Sequence, residues 1–186
     1  MRDEEVKQHL KSIDDTLQQI DKNNVLFADR LKPSELWKQH INRCGTDLTL
    51  LTLKGHLIIE SLLEINLCRL LAIEHLPEEY GKLGFNQKLQ LLCEVIVQRE
   101  SGPDPEPFIA IDNLNWVRNQ LAHNLKNPEQ IESDVKWFIN DCRKRGYVKS
   151  VPDGVTSDQL KHCIFGLCKF LDKVRVHLFK LETQNQ

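Results

Sequence analysis

The chain has 186 residues, 40% of them hydrophobic and 28% charged, with a formal net charge of −2. That is enough apolar material for one core with helical extensions. The slight acidity gives no general attraction to nucleic acid, so any RNA contact must come from a local patch. No apolar run approaches the ~20 residues of a membrane-spanning helix, and the opening MRDEEVKQHLKS has no apolar signal core.

Taken in order, the chain reads as helices and almost nothing else. Val6, Leu10, Ile13, Leu17 and Ile20 are spaced by alternating fours and threes, a heptad stripe that continues less regularly to Phe27 and Leu31. Such a helix either lies on its own domain or pairs with a partner helix. Lys32-Pro33-Ser34 interrupts it, and a new helix from about Ser34 runs through Trp37 and Ile41. From about Asp47 to His75, Leu50, Leu51, Leu53, Leu57, Ile58, Leu62, Ile65 and Leu70 make a helix that is apolar on most sides and therefore central. Pro77 to Gly84 is a connector, followed by a short helix through Leu92 and Ile96. Ser101-Gly102-Pro103-Asp104-Pro105-Glu106-Pro107 is the clearest loop, because alternating prolines remove backbone donors and clash with a preceding turn.

A helix from near Phe108 carries IAIDNLNWVRNQLAHNL. Asn127-Pro128-Glu129 opens the next, which runs through Val135, Trp137, Phe138 and Cys142 and ends at Gly146, after Arg143-Lys144-Arg145. Val151-Pro152-Asp153-Gly154 is a turn. Thr156-Ser157-Asp158-Gln159 reads as a capping box for the last helix, striped by Leu160, Ile164, Leu167, Leu171, Val174 and Leu178. No period-two strand of useful length, internal repeat or low-complexity tract interrupts this pattern, and the fold class is all-α. The six cysteines, at 44, 68, 93, 142, 163 and 168, form no CxxC pair. They read as reduced core thiols, which argues against a structural zinc site and for a cytoplasmic location.

The chemistry concentrates at Arg118-Asn119-Gln120-Leu121-Ala122-His123. At ~100° per residue Asn119 and His123 share a helix face, whereas Arg118 stands roughly 140° round the axis from His123 and must reach over with its long side chain. An imidazole that titrates near neutral pH beside a permanent guanidinium suits phosphate chemistry. The His moves a proton, and the Arg grips phosphoryl oxygens through its fork.

This Arg118-Asn119-x-x-x-His123 pattern resembles the R-x4-6-H signature of the HEPN superfamily, small helical domains of toxins, phage-defence proteins and RNA-processing enzymes. The order GHLIIESLLEINLCRLL (Gly55 to Leu71), FNQKLQLL (Phe85 to Leu92) and LNWVRNQLAHNL (Leu114 to Leu125) is similar too, and the likeness covers about Thr46 to Arg145. It implies a HEPN-like up-and-down bundle at residues 45–146; outside the likeness, the apolar stripes give an amphipathic helical extension at 1–44 and a C-terminal helix at 147–186 that packs on the bundle.

The resemblance further implies a metal-independent endoribonuclease without cofactor. Arg118, Asn119 and His123 would act in a homodimer that supplies two motif helices to one RNA substrate, with an antitoxin or other partner protein as a further contact. HEPN toxins paired with a nucleotidyltransferase antitoxin carry Tyr two residues after the motif His. Here that position is Leu125, so tyrosine modification as a control is not implied. The rival reading is a non-catalytic, mannitol-repressor-like module that binds a protein or a nucleotide. Direct DNA binding has no support, since no basic recognition helix is present.

The individual residues carry alternatives. His123 is the general acid or base, or a helix-terminal His near free carbonyls. Arg118 stabilises charge on the phosphorane, or forms a salt bridge to Glu60 or Asp112. Asn119 orients the imidazole or binds phosphate, or caps a neighbouring helix. Glu60, on an otherwise apolar helix, needs a cation and is expected to hold Arg118 or His123. Glu64 and His56 are expected to face solvent. Trp116 is expected in the core, with base stacking as the alternative. Arg143, Lys144, Arg145 and Lys149 are the best basic patch for RNA, or a solvated helix end.

Overall fold

The computed structural model describes residues 40–41, 44–71, 73, 83–97, 106–124, 127–146 and 153–184, and every regular element among them is helical. Within these ranges the side chains at 97, 123–124, 177 and 179–184 are left undescribed. The heptad stripe from Val6 to Leu31, the helix expected through Trp37, the prolines at 77, 103, 105 and 152, and Lys149 lie outside the described residues. The five principal helices are α1 (Leu48–Leu70), α2 (Phe85–Val97), α3 (Glu106–Asn124), α4 (Pro128–Lys144) and α5 (Thr156–Gln184).

The all-α reading holds, and α1 is central: it packs against each of the other four helices. Its start is fixed by Asp47, whose carboxylate accepts a hydrogen bond from the Leu50 N–H at 2.9 Å, satisfying a donor that the first turn leaves free. Leu51, Ile58, Ile59, Leu62, Leu63 and Leu67 are buried in one continuous core, whereas Leu50 and Leu57 are exposed.

Along α5 the stripe of Leu160, Ile164, Leu167, Leu171, Val174 and Leu178 is buried throughout. This helix lies close against α1 because Gly55 offers no side chain there. A Cβ built at Gly55 would stand 2.6 Å from Ile164 Cδ1. About three turns further along α1, Asn66 Nδ2 donates to the Leu171 carbonyl at 3.3 Å and ties the two helices by a polar contact inside the apolar seam. Among the described residues the Asn66 Oδ1 has no hydrogen-bond partner.

Two local readings are corrected. Helix α3 begins at Glu106, so Pro107 lies inside its first turn rather than in the loop. There a missing N–H costs nothing, because the first turn has no intrahelical acceptor for it. The expected capping box does not form either: the Val155 carbonyl accepts from both the Asp158 and Gln159 N–H groups, at 3.0 and 3.2 Å, which makes Val155 the capping residue. Thr156 is thereby drawn into the helix, and Ser157 is buried, its hydroxyl unpaired among the described residues. At α4 the expectation holds. The Asn127 side chain accepts from Gln130 N–H at 3.3 Å, Pro128 opens the helix, and Gly146 follows its end with φ +72°.

Candidate functional site on the third helix

Helix α3 presents two polar arcs. The first looks toward α1 and α2 and is built around Asn115. Its side chain is buried, its Nδ2 donates to Asn86 Oδ1 at 2.6 Å, and its Oδ1 lies 3.0 Å from His56 Nε2. Since Asn115 spends its NH2 on Asn86, the oxygen is the acceptor and His56 carries its proton on Nε2. The imidazole is further stacked on Phe85, with centroids 4.3 Å apart. His56 is therefore buried rather than solvent-facing as expected, because a flat ring with one polar edge satisfied by Asn115 fits the α1–α2–α3 junction. Burial pushes its pKa below the usual 6.5. The Asn115 hydrogen bond and nearby Glu60 act in the opposite direction, and the Arg118 charge adds to the lowering.

The guanidinium of Arg118 lies at the outer edge of this junction. It is exposed, and its Nη1 donates to Asn119 Oδ1 at 2.9 Å. No carboxylate among the described residues pairs with it. The expected partner Glu60 is engaged elsewhere, a correction with a clear cause: Lys88 of α2 is almost wholly buried and donates to Glu60 Oε1 at 3.1 Å and to Glu64 Oε1. A buried ammonium requires counter-charge more than an exposed guanidinium does, so Lys88 takes both carboxylates. Burial lowers the Lys88 pKa, but the hydrogen bonds it donates to Glu64 and Glu60, together with their charges, outweigh it and the net shift is upward. Glu64 is thus an ion-pair partner although about half of its side chain still meets solvent.

The second arc of α3 faces outward toward α4. Trp116, expected in the core, is instead 43% exposed and meets the 46%-exposed Trp137 edge to face, with centroids 4.9 Å apart. The reason is angular. The buried seam of α3 runs through Ile111, Leu114, Val117 and Leu121, and Trp116 stands on the far side of that seam. His123 follows Trp116 by seven positions, on the same arc. Its backbone lies in α3, and its side chain is outside the described part.

The basic run closing α4 is largely neutralised. Arg143 Nη2 lies 3.5 Å from Asp153 Oδ1, and Arg145 Nε donates to Asp141 Oδ1 at 2.8 Å. Lys144 is exposed, and no carboxylate pairs with it among the described residues. Of the expected site residues, then, the fold brings together Arg118 and Asn119 beside the His56–Asn115–Asn86 chain, and pairs Glu60 with Lys88 rather than with Arg118.

Sequence reasoning missed Lys88, Asn86 and Asn115. A signal for Lys88 existed: with Phe85, Leu89, Leu92 and Ile96 it falls on one helix face, so a cation interrupts an apolar stripe and calls for a carboxylate. Among the described residues no helix is long and apolar enough to cross a membrane, no group of three or more His, Cys, Asp or Glu side chains is arranged to hold a metal ion, and no disulfide joins the cysteines. Comparison of the chain with protein-family models, with curated proteins and with solved structures gave no match.

Proposed function

We propose that the chain is an endoribonuclease of the HEPN type, acting through Arg118, Asn119 and His123 of a homodimer. One observation carries this reading. The Arg118 guanidinium is exposed, held by Asn119 and unpaired with any carboxylate among the described residues, because Lys88 engages Glu60. An Arg in a structural ion pair would have its fork filled. Here two or more of its five N–H groups remain for phosphate oxygens.

In the reaction a ribose 2′-oxygen attacks the adjacent phosphorus and gives up its proton to one imidazole. Arg118 stabilises the negative charge that grows on the non-bridging oxygens. The P–O5′ bond then breaks, and O5′ takes a proton from a second imidazolium. A 2′,3′-cyclic phosphate and a 5′-hydroxyl result. One chain has one motif His, so the second proton transfer falls to the partner subunit's His123 across a two-fold axis.

The test is cleavage of a labelled RNA mixture, with EDTA present, by wild type, His123→Ala and Arg118→Lys. Wild type alone should yield cyclic-phosphate ends, and Arg118→Lys should lose roughly 10²–10³-fold in rate, since an ammonium cannot reproduce the bidentate fork. Equal behaviour of wild type and His123→Ala, both folded and dimeric, would sink the reading and leave the motif as scaffold for a binding module.

A further inference from the structure

The Trp116–Trp137 pair is not used by the chemistry above. Large aromatic rings are ordinarily drawn into a core, yet both are close to half exposed and are held by an edge-to-face contact that leaves ring surface open to water. The register of α3 on α4 is antiparallel, as the two contacts Trp116–Trp137 and Asn113 Nδ2 to Asp141 Oδ2 at 2.7 Å require. Running along this face, His123 lies two turns from Trp116 toward one end, and Lys144 lies two turns from Trp137 toward the other. Each separation is about 10 Å of helix axis.

The aromatic pair therefore sits midway between the motif histidine and an exposed lysine with no carboxylate partner among the described residues. Asp112, one turn before Trp116 and exposed, repels phosphate from the helix surface there and leaves the rings as the contact.

We propose that Trp116 and Trp137 form a stacking platform for unpaired RNA bases, with Lys144 taking a phosphate and the strand running toward His123. The proposal rests on the ribonuclease reading and narrows its substrate to single-stranded RNA, because the bases of a duplex offer no free face to a side chain. A second protein chain fits the patch less well. The two rings expose roughly 200 Å²; with Ile109, exposed two turns before Trp116 on the same arc, the apolar surface still falls short of the ~800 Å² per partner of a stable interface, and Asn113, Gln120 and Ser133 beside the rings are polar.

The experiment follows tryptophan fluorescence of the His123→Ala protein, with EDTA, as an eight-residue oligouridylate or a blunt RNA duplex is added. The single strand should quench saturably and the duplex should not. Trp116→Leu and Trp137→Leu should each weaken binding roughly 10-fold or more, while Trp116→Phe, which keeps a ring, retains most of it. Circular dichroism confirms that each variant is folded, and sedimentation velocity gives its oligomeric state. Absent quenching, equal binding of the duplex, or unchanged affinity in the leucine variants overturns the platform. So does a dimer that the leucine variants dissociate, because the patch is then a protein contact. The two readings fail separately. Cleavage by wild type without quenching leaves the nuclease and removes the platform; quenching without cleavage does the reverse.

Discussion

Lys88 separates a buried charge from its exposed partners, and the two sides of that pair should respond very differently to mutation. The Lys88 side chain is 4% exposed, whereas Glu60 and Glu64 are 28% and 45% exposed. Replacing Lys88 by Met keeps the buried stem and removes the charge. Water reaches both abandoned carboxylates, so the cost should be about 1–2 kcal/mol. Lys88→Ala also deletes about three buried methylenes at ~0.8 kcal/mol each, for a total of about 3–4 kcal/mol. Glu60→Gln/Glu64→Gln leaves the ammonium buried without counter-charge, and should cost about 3–5 kcal/mol. Either single Gln variant leaves one carboxylate in place and should cost about 1 kcal/mol or less.

Urea titration followed by circular dichroism measures these values. With a slope of about 2 kcal/mol/M, the double Gln variant should lower the midpoint by about 2 M, and Lys88→Met by about 0.5–1 M. A double Gln variant no less stable than Lys88→Met would refute the argument that burial, rather than the number of ion pairs, sets the cost. The two Gln changes should also be more than additive in combination, because each single variant retains the carboxylate that the other removes.

Two further outcomes follow from the packing of α1. Gly55→Ala should destabilise by roughly 1 kcal/mol even though Ala is the better helix former, because overpacking against Ile164 exceeds the propensity gain; Ile164→Val, which removes the atom 2.6 Å from the new Cβ, should make the substitution cheaper, and strict additivity of the two changes in a double-mutant cycle would contradict the contact. His56 has a folded-state pKa below its usual 6.5, so on acidification the unfolded chain takes the proton first. Its contribution is complete above about pH 6.5 and is lost as the pH falls through that value toward the folded pKa. Urea midpoints measured from pH 7.5 to 5 should fall more steeply for wild type than for His56→Gln, and equal slopes would show that the imidazole is not held neutral.

Helix identity was legible in the sequence because it depends on period and punctuation, both local. The apolar spacing of α5, the Asn127-Pro128 start of α4 and Gly146 beyond its end required no knowledge of neighbours. Boundaries were less legible where two local signals compete: Thr156 reads as a cap, yet Val155 takes that role once the helix extends by one residue. The pattern Arg118-Asn119-x-x-x-His123 stood out for the same local reason, since Asn119 and His123, four positions apart, share a face in any helix.

Partners across helices were not local. Which cation Glu60 holds depended on Lys88 being carried 28 positions away onto α2 and buried there, a fact about packing. His56 was drawn inward by Asn115 and Phe85, 59 and 29 positions on, and Trp116 was turned outward by the direction of the α3 seam. The sequence by itself thus determined the helical class of the described residues and the helix bearing Arg118, Asn119 and His123, through interactions that span a few positions. Only the tertiary structure decided which charges neutralise one another and which stay open, because desolvation is set by whatever the other helices bring to the same place.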